Sequence, residues 1–151
     1  FINMKSLAGG AIEDAALALR FAASNPNVTV VLPGMYSAQE VTENAAAVSD
    51  TSPLSAQELE RAEEVRRELG NNFCRRCNYC APCTVGISIP NVFLFQGYLR
   101  RYGLEDWARG RYDTLTAKAG DCVDCGACEE RCPYQLPIRE MLKSAAKDFG
   151  L

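Results

Sequence analysis

Cysteine spacing is the feature that most constrains this chain, because all eight cysteines lie in two short runs. The first run comprises Cys74, Cys77, Cys80 and Cys83, and the second comprises Cys122, Cys125, Cys128 and Cys132. Unrelated buried thiols would not show the same regular spacing in two runs by chance. The spacing therefore predicts that the thiols act together on a shared ligand.

The second run ends in Pro133 and reads C-x2-C-x2-C-x3-C-P. This is a spacing that ligates four-iron, four-sulfur clusters. Three thiolates three residues apart can bond three corners of one iron–sulfur cube, whereas the fourth cysteine of the pattern serves the other cluster of a pair. The run therefore predicts two [4Fe–4S] clusters.

An internal repeat relates the two runs. A shift of 48 residues maps the first three cysteines of one run onto those of the other, and a shift of 49 maps Cys83 onto Cys132. The longer shift also pairs the apolar residues that follow: Ile87 with Leu136, Ile89 with Ile138, and Phe93 with Leu142. The repeat predicts crossed ligation, in which each half lends its last cysteine to the other half's cluster.

Crossed ligation divides the eight thiols into two sets. One cluster is expected to bind Cys74, Cys77, Cys80 and Cys132, and the other Cys122, Cys125, Cys128 and Cys83. The first run departs from the usual pattern, because two residues instead of three precede Cys83 and Thr84 stands where proline is usual. Whether Cys83 can bind the cluster of the second run is therefore the part of this hypothesis that most needs structural evidence.

Zinc and disulfides are the alternative uses of these thiols. Structural zinc also takes C-x2-C pairs, but usually two pairs separated by a longer stretch, and four evenly spaced cysteines would strain a tetrahedron. Disulfides suit small secreted domains, whereas this sequence shows no signal segment and no loop-rich composition. The cluster hypothesis accounts for the spacing better than either.

Composition narrows the function classes further. The 151 residues carry a net charge of −3 with interspersed acidic and basic residues, which predicts no binding to nucleic acid or to an anionic membrane. No apolar run reaches the roughly 18 residues that span a bilayer, so we expect a cytoplasmic protein. The chain has no histidine, so any metal must be bound by thiolates.

Hydrophobic periodicity predicts a mainly α chain with two strands near its start. The predicted strands are residues 1–4 and 28–32, the second buried on both faces of a parallel sheet. Helices are predicted over residues 12–25, 37–48, 55–69, 91–102, 105–115 and 138–148. Capping boxes are predicted at Ser37–Glu40 and Ser55–Glu58. The predicted domains are residues 1–50, a linker and connecting helix at 51–71, and a cysteine-rich domain at 72–151.

Two parallel strands with their covering helices cannot close a core, because both sheet edges and one side of each helix stay unburied. The chain also starts within an apolar strand pattern, FINMK. We therefore expect it to begin inside a larger polypeptide, with further chain upstream. A tag or a processed N-terminus is the alternative.

The cysteine-rich region resembles the α-helical ferredoxin domains. Thirty-eight residues separate Cys83 from Cys122, and their patterns are helical, without hairpin strands. The resemblance implies a two-cluster module that transfers electrons inside a larger oxidoreductase.

The first fifty residues resemble the last two strand–helix units of an aldo/keto reductase (β/α)8 barrel. The resemblance rests on INMKSLAGG, VTVVLPGMYSAQEVTENAA and PLSAQELE, and it continues through NFCRRCNYCAPC, as in bacterial aldo/keto reductase-like proteins with a C-terminal ferredoxin domain. Loops after strands seven and eight of such barrels commonly bind phosphate. The resemblance implies that an NAD(P) cofactor is contacted by Ser6, Leu7, Gly9, Gly34, Ser37, Glu40 and Asn44. The alternative is that the glycines among them only form tight turns.

The resemblance also bears on activity. The family's catalytic Asp, Tyr, Lys and His lie on earlier strands, so no residue here is assigned a catalytic role. The complete protein is expected to be an NAD(P)-linked oxidoreductase, and the partner of this part is a redox protein or the missing N-terminal barrel. The alternative is a non-catalytic module, in which zinc or redox-idle clusters staple a partner-docking domain.

Overall fold

The computed structural model describes residues 1–70 and 72–150, which divide into two compact units. Unit 1 is Phe1–Glu68 and unit 2 is Leu69–Leu151. Asn71 and Leu151, which end the predicted linker and the predicted cysteine-rich domain, lie outside the described residues. The described residues are mainly helical, which confirms the predicted fold class at that level.

Unit 1 contains two strand–helix pairs and a further helix. Its elements are β1 (Ile2–Met4), α1 (Ala15–Ala23), β2 (Val30–Leu32), α2 (Ala38–Ser49) and α3 (Ala56–Gly70), the last two residues of α3 belonging to unit 2. β1 and β2 pair in parallel, with Asn3 opposite Val31. α1 packs against both α2 and β2. The two predicted strand–helix pairs are therefore present.

The strands are less buried than the sequence predicts. Val30 is 42% exposed and Leu32 is 48% exposed, and Ile2 and Met4 in β1 are each 66% exposed. The prediction that residues 28–32 are buried on both faces is wrong for this chain. Among the described residues the sheet has two strands, so each has a neighbour on one edge and incomplete cover on its faces.

Of the two predicted capping boxes, Ser55–Glu58 forms in full, whereas at Ser37–Glu40 only the Ser37 half forms. Glu40 N donates to Ser37 Oγ at 3.2 Å, while the Glu40 carboxylate accepts from Tyr36 N. Ser55 and Glu58 make the full reciprocal pair, at 3.2 Å from Glu58 N to Ser55 Oγ and 2.8 Å from Ser55 N to Glu58 Oε2. These side chains satisfy first-turn amides that have no partner inside the helix.

Unit 2 packs its helices around an apolar core. Its elements are α4 (Ile89–Tyr102), α5 (Glu105–Asp113), a short 3-10 turn (Ala119–Asp121), α6 (Ala127–Glu130) and α7 (Ile138–Phe149). α4 packs against α5 and α7. The repeat-related residues Ile89 and Ile138, which begin α4 and α7, are each only 2% exposed. Removal of such side chains from water is the main force that assembles this core.

A polar cluster also joins α4 to α7. Asp148 on α7 accepts from Gln96 Nε2 at 2.7 Å and pairs with Arg100 Nε at 2.5 Å. Gln96 is only 9% exposed, so this bond satisfies a polar group that would be costly to bury alone. No helix in the described part of the chain is long and apolar enough to cross a membrane.

Candidate metal centres

A pocket in unit 2 is lined by thiols from both cysteine runs. The four are Cys83, Cys122, Cys125 and Cys128. The pocket contains about 330 Å³ of space, part of it open to solvent, and its apolar wall includes Ile89 and Leu142. The structure thus brings together the four thiols that crossed ligation requires for one cluster.

Cys83 lines this pocket although its spacing is shortened and no proline follows it. The next residue, Thr84, lies with its Oγ1 3.3 Å from Cys125 Sγ. This hydrogen bond is the largest reason that the pKa of Cys125 is lowered below its ordinary value. The contact ties the end of the first run directly to the second.

Arg131 makes a further link between the runs. Its guanidinium donates to the carbonyl oxygen of Pro82 at 2.7 Å and to that of Ala127 at 2.9 Å. The Ala81–Pro82 peptide bond is cis. Arg131 therefore links the two runs through hydrogen bonds and also lines the pocket.

Cys74 of the first run lies close enough to Cys132 of the second for their charges to interact. Burial raises the pKa of Cys74, and the neighbouring thiolates of Cys77 and Cys132 add to the increase. Burial likewise raises the pKa of Cys80, with a further contribution from Cys74. Buried thiols with raised pKa values need nearby positive charge to ionise, which a bound metal centre supplies. The donor set therefore fits a thiolate-bound metal centre.

The internal repeat is reproduced in the backbone. Three pairs of repeat-related residues share a left-handed conformation: Arg76 (φ 56°) with Asp124 (55°), Asn78 (67°) with Gly126 (79°), and Gly86 (80°) with Gln135 (51°). The shifts between them are the 48 and 49 residues that relate the cysteines. Arginine and glutamine seldom adopt positive φ, so a shared fold, and not residue type, explains the match.

Burial of the cysteines follows the same repeat. Cys80 and Cys128 are each 8% exposed. Cys77 and Cys125 are exposed, and the remaining four cysteines are intermediate. Each run therefore presents one buried and one exposed thiol at matching positions.

All eight cysteines are free thiols in this structure. Among residues 1–70 and 72–150, no three Cys, Asp or Glu side chains converge closely enough to hold a single metal ion. A tetrahedral zinc site places its thiolates about 4 Å apart, given Zn–S bonds of about 2.3 Å. Thiolates around a four-iron cube stand further apart, because each bonds a different iron atom.

Two supporting interactions near the second run were missed from the sequence. Glu129 accepts from Arg139 N at 2.8 Å and from Arg139 Nε at 3.0 Å, so its carboxylate caps the first turn of α7. Tyr112, which is 2% exposed, accepts from Ala119 N at 2.8 Å, just before Cys122. No local pattern marks either pair, because the partners meet only once α5, α6 and α7 are assembled.

Arg75 and several aromatic residues of unit 2 take part in packing. Arg75 lies over the ring of Tyr134, with its Cζ 4.1 Å from the ring centroid. Tyr98 meets Trp107 edge to face at 4.7 Å and Tyr102 at 5.7 Å. The contact of Tyr98 with Trp107 packs α4 against α5.

The residues predicted to contact a nucleotide lie in unit 1. Ser6, Leu7 and Gly9 follow β1, and Gly34, Ser37, Glu40 and Asn44 follow β2. Ser6 donates to Asn3 Oδ1, and Ser37 and Glu40 form the cap of α2. Asn44 is buried, at 9% exposed, whereas Gly34, Ser37 and Glu40 are exposed.

The fold and the thiol geometry define a helical domain built to hold metal centres with two matched cysteine runs. Residues 73–137 match a family model described as a 4Fe-4S dicluster domain. The match supports an iron–sulfur, ferredoxin-like domain in this part of the chain. No curated protein and no solved structure matches the chain.

Proposed function

We propose that this chain is an electron-transfer module that binds two [4Fe–4S] clusters by crossed ligation. When bound, such clusters supply one-electron redox chemistry. The observation that carries the proposal is the pocket that Cys83 shares with Cys122, Cys125 and Cys128. Cys83 belongs to the first run, and the other three thiols belong to the second. Its position in this pocket therefore favours crossed ligation over an arrangement in which each run supplies all four ligands of one cluster.

The surroundings of the pocket support the binding of an anionic cluster. Arg131 and Arg139 both line it, and guanidinium groups stay protonated throughout the physiological pH range. Ile89 and Leu142 line its inner wall and are nearly inaccessible to water. Exposed Cys125 leaves one edge near solvent, where a redox partner can approach.

Replacement of the last cysteine in each run tests the crossed sets. We expect Cys83→Ser to damage the cluster assigned to Cys122, Cys125 and Cys128 and to leave the other largely intact. Cys132→Ser should have the opposite effect. In each variant, iron and acid-labile sulfide should fall by about half, because one of two clusters is lost. Electron paramagnetic resonance of the reduced variants identifies the surviving cluster.

Cys80→Ser is the matched control for Cys83→Ser. It removes a thiol only three residues earlier in the same run, yet it should damage the other cluster. Loss of the same cluster from both variants would show that the first run holds its cluster alone. A colourless, zinc-containing protein would favour the partner-docking alternative over electron transfer.

We further propose that unit 1 belongs to an aldo/keto reductase-like oxidoreductase that binds NAD(P). β1 and β2 are parallel neighbours, so the loops after them, residues 5–10 and 33–37, lie at the same edge of the sheet. Loop amides and the start of α2 at that edge suit an anionic group. The exposed apolar residues of both strands would be covered in a wider sheet.

Amide hydrogen exchange of the full-length oxidoreductase tests the nucleotide proposal. NADH should slow exchange in residues 5–10 and 33–37, because a bound pyrophosphate engages their N–H groups. Residues 51–54 in the linker serve as the internal control and should not respond. Unchanged exchange in both loops at saturating NADH would mean that their glycines only form turns.

A further inference from the structure

Thr84 and Pro133 occupy equivalent positions in the repeat, each directly after the last cysteine of its run. Thr84 Oγ1 lies 3.3 Å from Sγ of Cys125, the exposed cysteine of the second run. Pro133 has neither a hydroxyl nor a backbone N–H group. The equivalent cysteine of the first run, Cys77, therefore has no hydroxyl donor at that position. The repeat builds two similar sites and places this hydrogen bond in one of them.

The direction of the hydrogen bond follows from ligation. A thiolate bound to iron carries no proton, so the Thr84 hydroxyl must donate and Cys125 Sγ must accept. Hydrogen bonds to ligand sulfur atoms are among the factors that set the reduction potential of an iron–sulfur centre. A donor stabilises negative charge on sulfur, and that charge increases when an electron is added. The Thr84 hydroxyl therefore favours the reduced state.

We propose that Thr84 raises the reduction potential of the cluster assigned to Cys83, Cys122, Cys125 and Cys128, and so biases electrons toward it. The inference rests on the proposed electron-transfer function. In this transfer, one electron moves from the cluster assigned to Cys74, Cys77, Cys80 and Cys132 to the cluster named above. No bond forms or breaks. An external one-electron donor, such as dithionite or an electrode, supplies that electron.

The test compares Thr84→Val with Thr84→Ser in the full chain carrying both clusters. Valine keeps the shape of threonine and removes the hydroxyl, whereas serine keeps the hydroxyl. We expect valine to lower the equilibrium constant for one-electron reduction of this cluster about threefold, which is about 28 mV at 59 mV per tenfold. Serine should restore the wild-type value, and the first-run potential should not change. Redox titration followed by electron paramagnetic resonance measures both potentials.

Thr114→Val is the matched control, because it removes a hydroxyl of unit 2 that donates to Arg111 O at 2.7 Å instead of to sulfur. It should leave both potentials unchanged. Thr84→Ala repeats the measurement in case the valine methyl group disturbs Cys83. Iron-replete Thr84→Val and Thr84→Ala proteins with wild-type potentials would overturn the inference, as would an equal fall in both potentials. A wild-type chain that binds no iron would instead overturn the proposed function.

Discussion

Arg20 and Glu58 form an ion pair that links α1 to the start of α3. Arg20 Nε lies 2.7 Å from Glu58 Oε1, and Arg20 also pairs with Asp50. The backbone N–H of Ser55, followed by the Arg20 guanidinium, lowers the pKa of Glu58 from 4.5 to about 2. Such a carboxylate stabilises the folded state above its unfolded pKa, and that contribution is lost as pH falls from about 4.5 to about 2.

Glu58→Gln should therefore lower the thermal unfolding midpoint of unit 1 at pH 7. The amide can still accept from Ser55 N in the capping box, but it loses the charge that Arg20 faces. The difference from wild type should shrink as pH falls toward 2, because the wild-type carboxylate then becomes protonated. Thermal unfolding followed by circular dichroism at several pH values measures both effects.

Glu63→Gln is the control for this prediction. Glu63 also lies on α3 and pairs with Arg66, but the two side chains are 58% and 76% exposed, so their pairing contributes little. This variant should match wild type at each pH. A Glu58→Gln deficit that stays constant from pH 7 to pH 2 would show that the carboxylate charge is not its source.

At the scale of elements, the helices of unit 2 were predictable because their end signals are local. The sequence predicts helices over 91–102 and 138–148, and the structure has Ile89–Tyr102 and Ile138–Phe149. Gly103 and Gly150 end these helices in the left-handed conformation, at φ 63° and 83°, which costs glycine little. Apolar periodicity and a terminal glycine together determine both helices.

Elements whose ends depend on distant or side-chain contacts were predicted less well. α1 begins at Ala15, not at residue 12, because Asp14 caps it by accepting from Leu17 N. α5 ends at Asp113, where Lys118 Nζ donates to the last carbonyl oxygens of the helix. The 3-10 turn and α6 are too short to produce a periodic pattern.

The candidate site also has features that the sequence revealed and features that only the structure reveals. The repeat in cysteines and apolar residues was visible in the sequence, and it led to the crossed sets that Cys83 and its pocket now support. The contact of Thr84 with Cys125 was not visible in the sequence. There, Thr84 is noticeable only as a residue that replaces the usual proline, and nothing indicates that its hydroxyl forms a hydrogen bond. Long-range pairs such as Glu129 with Arg139 need the folded chain to be seen.

At the scale of the whole molecule, we expect the two units to rely on different interactions. All eight cysteines lie in unit 2, and the sequence has none before Cys74. Among the described residues between Gly70 and Ile89 there is no helix or strand, and α6 has only 4 residues. Irregular backbone of this kind has few ladder hydrogen bonds to keep it folded, so thiolate ligation should supply much of its stability. Unit 1 has its own sheet pairing and ion pairs.

Removal of the clusters should therefore unfold part of the molecule selectively. Bound metal contributes folding free energy, so iron removal by an oxidant and a chelator should deprotect residues 72–88 and 119–137. The amides of unit 1 should keep their exchange rates and act as the internal control. Hydrogen exchange with mass spectrometry, on iron-depleted and reconstituted protein, measures both regions at once. Equal loss of protection in unit 1 would mean that its stability depends on unit 2. Unchanged exchange in residues 72–88 would mean that ligation does not hold the cysteine runs in place.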